Sequence, residues 1–161
     1  MSSYEIHPLS GDYEQAAREL RAAATHDLRR VYRPRWRGGG TAPVARKVAR
    51  QELVASRNGA VLGVVEYLKR GEGLFLRGLA VHPCARREGV AGALIAHLKE
   101  MARAAGISRL ELATIVETGN VSIFERLGFR VTDIAPAEAF ESLDGGTVMQ
   151  ARMVLDLHTA A

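Results

Sequence analysis

Cysteine is nearly absent from this 161-residue chain: Cys84 stands alone, so no intrachain disulfide can form, and a reducing compartment is the simpler reading. Aromatic residues reach only 6% and the arginines are scattered, which argues against a nucleic-acid partner despite the net charge of +4. No run approaches the roughly 18 apolar residues of a membrane span. The opening MSSYEIHPLSGDYEQ lacks the basic start and apolar stretch of a signal peptide. A soluble, cytoplasmic protein with no membrane partner is therefore expected. Nowhere do Cys, His, Asp and Glu cluster at metal-ligand spacing, so no metal is expected, and no segment repeats.

What is present suffices for one core. Hydrophobic residues make up 47% of the chain, ample for a single domain over residues 1–161. Tyr4 to Pro8 alternates and predicts a short first strand. Asp12 is placed to cap the next helix, where Tyr13, Ala16, Ala17, Leu20, Ala24 and Leu28 keep one apolar face. Pro34 and Gly38-Gly39-Gly40 then end regular structure, predicting a basic loop from Arg29 to Thr41 and a short helix from Ala42 to Arg50. Arg29, Arg30, Arg33, Arg35, Arg37, Arg46, Lys47 and Arg50 lie in that stretch with no acid among them. Beyond it the pattern turns to β. Leu53 to Ser56 and Val61 to Leu68 flank Arg57-Asn58-Gly59-Ala60, and Asn-Gly between apolar runs is the strongest short hairpin signal. Arg70-Gly71-Glu72-Gly73 makes a second tight connection, so three antiparallel strands in succession are expected.

The densest signal lies between Leu74 and Met101. From Leu74 to Val81 the run is apolar save for Arg77, which suits a strand covered on both faces, and Gly78 within it marks a bulge or a close approach. Leu94, Leu98, Met101 and Ala105 then form one helical stripe, with Gly106 where a helix commonly stops. The turn between, from Pro83 to Gly92, has the makings of an anion site. A helix start leaves backbone N–H groups unpartnered and carries the positive end of the dipole. Gly89, Ala91 and Gly92 would let a bulky diphosphate approach, and Arg86 and Arg87 add charge. The same residues also fit a plain strand-to-helix turn with two solvated arginines.

Val81-His82-Pro83-x-x-Arg86-x-x-Gly89-Val90-Ala91-x-x-Leu94 resembles the acetyl-CoA signature of the GNAT N-acetyltransferase superfamily, Arg/Gln-x-x-Gly-x-Gly/Ala between a central strand and a helix. Asn120 to Phe129 resembles the family's next helix and strand, ending in Leu-Gly-Phe. The resemblance implies an α/β, GNAT-like fold: a mixed central sheet of about six to seven strands, flanked by helices on both faces, with a splayed pair of parallel strands. That pair would be Leu74 to Val81 and Leu110 to Ile115. Ser122 to Leu127 then reads as a short helix, Phe129 to Ile134 and Val148 to Leu157 as strands, and Ala135 to Gly146 as a loop. The resemblance also implies acetyl-CoA as co-substrate. Its binding residues would be Arg86, Arg87, Glu88, Gly89, Val90, Ala91 and Gly92 in the turn, Leu79, Ala80 and Val81 on the strand, Asn120 on the pantetheine arm, and Phe124 packed against that arm.

Acetyl transfer from a thioester to an amine needs a neutral amine, a donor for the carbonyl oxygen and a proton for the thiolate. The strand positions whose backbone serves the second need in the family match Leu79 and Val81. No acid lies between Leu74 and Val81, where relatives often carry a glutamate. Glu66 on the preceding strand is the remaining candidate base, with a solvated face residue as the plain alternative. Where many relatives have a tyrosine near the sulfur stands Phe124, leaving Ser122 or water to protonate the thiolate, or the thiolate to leave unassisted. The leading expectation is an acetyl-CoA-dependent N-acetyltransferase, working by direct transfer in a ternary complex on a primary amine of a small metabolite, amino acid or peptide. An anionic group on the acceptor would be anchored by the arginines between Arg29 and Arg50, which otherwise are solvated or hold the adenosine phosphate. The competing expectation is an acyl-CoA-binding sensor or partner module with little or no turnover; a homodimer is compatible with both.

Overall fold

The computed structural model describes residues 4–35 and 51–157. Strand β1 (Glu5–Pro8) leads into helix α1 (Glu14–Leu28) and strand β2 (Tyr32–Pro34). Strands β3 (Gln51–Arg57), β4 (Ala60–Arg70) and β5 (Gly73–Val81) follow, then α2 (Val90–Ala104), β6 (Arg109–Ile115), α3 (Asn120–Arg126), β7 (Arg130–Ser142) and β8 (Thr147–Asp156). All eight strands form one mixed sheet in the order β1-β3-β4-β5-β6-β8-β7-β2, in which β5 and β6 are the parallel pair. Asn58 and Gly59 both take positive φ, 52° and 78°, as the two-residue hairpin turn between β3 and β4 demands. The three antiparallel strands in succession are present, and so are helices on both faces.

Each face has its own core. Ala17 and Leu20 of α1 pack with Val54, Val64 and Ala80 on one side of the sheet. Leu94, Leu98 and Ala102 of α2 pack with Leu53, Val65, Leu76, Leu110 and Met153 on the other, and Val121, Phe124 and Leu127 of α3 join that larger cluster. Leu98 and Leu110 are fully buried, so truncating either to alanine removes about 2–5 kcal/mol. The first turn of α2 sits directly on β4. A Cβ built at Gly63 would lie 2.6 Å from Val90 Cγ1 and 3.1 Å from Leu94 Cδ1, so only glycine lets the helix come this close.

Four local expectations are corrected. Asp12 does not cap α1; it lies inside a 3-10 turn, Gly11–Tyr13, and no side chain caps either the turn or the helix. Ala16 is exposed rather than part of the apolar face, because at about 3.6 residues per turn it stands on the flank of the stripe that buries Ala17 and Leu20. Within the expected basic loop, Tyr32–Pro34 is a strand paired with Phe140, Glu141 and Ser142. The expected loop from Ala135 to Gly146 is strand as far as Ser142, because β8 on one side and β2 on the other supply its backbone partners. The first of these adds an eighth strand to the six or seven expected, and the second lengthens β7. The triple glycine and the helix expected from Ala42 to Arg50 lie outside the described residues. Among the described residues, no helix is long and apolar enough to cross a membrane.

Replacing Gly63 with alanine is expected to overpack the seat of α2 and lower the unfolding free energy by about 1–3 kcal/mol, read by urea denaturation.

Candidate active site

The site is built where the central strands part. β5 and β6 pair only through Gly73, Leu74 and Phe75 opposite Arg109, Leu110 and Glu111. Past that point no ladder joins them among the described residues. On its other side β5 carries a bulge: Val64 faces Ala80 and Glu66 faces Arg77, so Gly78 and Leu79 together oppose Val65. Gly78 takes φ of 64°, the left-handed conformation that glycine adopts most readily. Leu79 and Val81 direct their half-buried side chains toward the core that α2 covers.

Below the gap lies the turn into α2. His82 caps a short 3-10 turn, Pro83–Ala85, by accepting from the Cys84 N–H at 3.1 Å. Arg87 has φ of 66° and Gly89, the N-cap of α2, has φ of 85°, so two left-handed residues swing the chain into the helix. No side chain caps that helix start. The N–H groups of Val90, Ala91 and Gly92 therefore face outward without helical partners. A Cβ at Gly89 or at Gly92 would meet no atom within 4 Å, so the space before these N–H groups is open. Arg86 and Arg87 are exposed beside it, with Arg86 leaning on Asp27 of α1 at 3.6 Å. Uncompensated N–H groups, the positive helix end and two arginines fit a diphosphate.

On the α1 side of the bulge, the carboxyl carbon of Glu66 lies 4.0 Å from where a Cβ on Gly78 would stand. Glu66 pairs with Arg77 at 3.3 Å, and its side chain is only 19% exposed. Its cross-strand neighbour Glu52 is bonded to Arg21 of α1. Burial pushes the Glu52 carboxyl above the usual carboxylate range, the Arg21 guanidinium pulls it back, and the charge of Glu66 adds to the upward push. A carboxylate poised over the bulge can accept a proton from an amine brought there.

The start of α3 supplies the other wall. Asn120, its first residue, is half-buried, and its N–H donates to Thr118 Oγ1 at 3.2 Å. Ser122 is exposed, and its hydroxyl donates to the Gly119 carbonyl at 3.1 Å. Phe124 is half-buried against the core and meets Phe129 edge-on, with ring centroids 6.0 Å apart. Both oxygens of Glu117 accept the Met149 N–H at 3.0 Å, tying the end of β6 to β8.

The model of the acetyltransferase (GNAT) family matches residues 13–129, from the start of α1 through the splayed strands to just past α3. This chain belongs to the GNAT acetyltransferase family. Its class of chemistry is acyl transfer. Solved structures agree on the fold across nearly the whole chain. The ribosomal-protein-S18-alanine N-acetyltransferase from Escherichia coli is 18% identical with a TM-score of 0.70, covering 99% of this chain and 97% of its own. An N-acetyltransferase from Staphylococcus aureus Mu50 is 16% identical at 0.73, covering 98% and 100%. An aminoglycoside 6'-N-acetyltransferase complexed with coenzyme A is 13% identical at 0.69, covering 98% and 99%. No curated protein sequence matches this chain significantly.

Within this candidate site, sequence reading brought out Glu66, Gly78 and the turn, but not Glu52, Arg21 or Glu117. Arg33, read as an acceptor anchor, donates from Nε to Glu141 at 3.1 Å and so ties β2 to β7. Arg37, Arg46, Lys47 and Arg50 lie outside the described residues. Among the described residues no group of His, Cys, Asp and Glu is arranged to hold a metal ion. Cys84 is exposed on the turn.

Because φ at Gly78 is positive, alanine there is expected to cost roughly 1–2 kcal/mol of stability, measured by urea denaturation. Relaxation of the bulge should also lower kcat by about 10- to 100-fold, because the reacting groups lose register.

Proposed function

We propose that residues 1–161 act as one domain, an acetyl-CoA-dependent N-acetyltransferase that transfers the acetyl group directly to a primary amine in a ternary complex. The observation that carries this reading is the uncapped start of α2 beneath parted strands whose bulge is faced by a carboxylate. The bound thioester would supply the activated acetyl group and a thiol leaving group. Arg86, Arg87 and the N–H groups of Gly89 to Gly92 receive the diphosphate, with Glu88 contributing backbone. Leu79, Ala80 and Val81, freed from β6 pairing, offer main-chain groups to the acyl end, including N–H donors for the carbonyl oxygen as charge develops on it. Asn120 bonds the pantetheine arm and Phe124 packs against it. Glu66 accepts the proton that the acceptor ammonium gives up before nitrogen bonds to the acetyl carbon and the carbon–sulfur bond breaks.

The acceptor is the amine of a small metabolite, an amino acid or a peptide. Support for an anionic group elsewhere on it comes from Arg29, Arg30 and Arg35, all exposed around the short strand that follows α1. Phe124 favours a second reading, an acyl-CoA-binding module with little turnover, because its ring can donate no proton to a thiolate. Ser122 gives the transferase reading limited help, since its hydroxyl is already committed to Gly119. Thiol release by the purified protein with acetyl-CoA and a panel of amines separates the two. Turnover with any amine supports transfer; tight acetyl-CoA binding without thiol release supports the module.

Gly89→Asp places a side chain and a negative charge before the helix start, and acetyl-CoA binding should weaken by at least about tenfold in calorimetry. Wild-type affinity in a folded Gly89→Asp protein would remove the cofactor from this turn. Phe124→Tyr adds a single oxygen, and its kcat should equal or exceed wild type, with a new basic limb in the pH–rate profile near the phenol's ordinary pKa of about 10.

A further inference from the structure

The turn that faces the diphosphate carries an acid of its own. Glu88 stands between the two left-handed residues, Arg87 and Gly89. A carboxylate in a loop that receives an anion opposes that anion unless something neutralises it. Two residues from distant parts of the chain engage Glu88. Arg57, at the end of β3, holds its carboxylate through Nη2 at 3.2 Å. Tyr4, just before β1, donates its hydroxyl to the Glu88 carbonyl at 2.8 Å. The Arg57 guanidinium in turn lies 5.4 Å from the centre of the Tyr4 ring. The three contacts close a triangle that ties β1 and the β3–β4 hairpin to the one stretch of the turn that is not helix.

We propose that Arg57 and Tyr4 are positioning residues for acetyl-CoA: Arg57 neutralises Glu88 and keeps it out of the diphosphate's field, while Tyr4 fixes the Glu88 peptide between its two left-handed neighbours. The proposal rests on the diphosphate occupying this turn. It gives the first strand, far from the splayed pair, a part in cofactor affinity. Glu88 and Arg57 are both partly exposed, so the effect is moderate rather than decisive.

Calorimetric titration of the full chain with acetyl-CoA tests it. Arg57→Met keeps an apolar stem over the Tyr4 ring and drops the charge, and its Kd is expected to rise about three- to tenfold. Adding Glu88→Gln to Arg57→Met should bring Kd back to within about twofold of wild type, because the unneutralised carboxylate is gone. A contact that served only to brace the fold would make the two losses accumulate instead. Tyr4→Phe should weaken binding by about two- to fourfold, a loss that Glu88→Gln does not repair. A wild-type Kd for Arg57→Met, or a double variant as weak as Arg57→Met, overturns the proposal. The parallel Gly89→Asp titration separates the two readings. If Gly89→Asp weakens binding and Arg57→Met does not, only the positioning role falls; if neither weakens it, the diphosphate is elsewhere and both fall.

Discussion

A helix presents its first-turn N–H groups to a ligand only if it is seated so that its start faces open space, and in this protein the seat is Gly63. With no Cβ there, Val90 and Leu94 descend onto β4, and both are buried. That contact fixes where α2 begins, hence where the unpartnered N–H groups of Val90, Ala91 and Gly92 point. The fully buried Leu94 and Leu98 carry the helix on across the sheet toward β6. The parting of β5 from β6 needs the same support. Strands that leave each other's hydrogen bonds need packing to hold them apart, and the side chains of Leu79 and Val81 supply it by resting on the α2 core.

Charge on the opposite face is arranged as a row. Arg21, Glu52, Glu66 and Arg77 follow one another from α1 across three strands, cations outside and carboxylates within. Burial imposes a desolvation penalty that displaces Glu52 upward in pKa, its arginine opposes the shift, and repulsion from the adjacent Glu66 carboxylate adds a smaller push in the same direction as burial. The row is neutral overall but polar inside. It sits over the one point where the central strand breaks its regular ladder.

Much of this was open to reading in the sequence because it depends on local chemistry. Asn58-Gly59 can hardly be anything but a hairpin turn, and Gly78 amid apolar neighbours marked a bulge or a close approach, of which the register shows the bulge. The helical stripe of Leu94 and Leu98 likewise ends with left-handed Gly106 just beyond it. What escaped depends on distant parts of the chain meeting. Counting symmetrically back from Asn58-Gly59 sets Glu52 against Val65; a register shift between Ala55 and Ser56 moves the pairing by one and sets it against Glu66. Nothing near Glu52 in sequence signals that shift. β2 is three residues among arginines, the last of them Pro34, and only Phe140 to Ser142 make a strand of it. The Tyr4, Arg57 and Glu88 contacts span 84 residues and have no local trace.

β1 and β2 both belong to the first 34 residues, yet they occupy opposite edges of the sheet. At about 4.8 Å per strand, seven spacings set them roughly 34 Å apart, and α1, about 22 Å long, takes up much of the way between. The earliest part of the chain is therefore a strap thrown over one face, fastened at one end to β3 and at the other to the C-terminal hairpin. During synthesis the second fastening must wait until residues 140–142 have been made. Until then Tyr32 has no Phe140 to meet, and one edge of the sheet stays open. The edge formed by β2 is thus a long-range feature that synthesis can complete only after most of the sheet's other strands have been made.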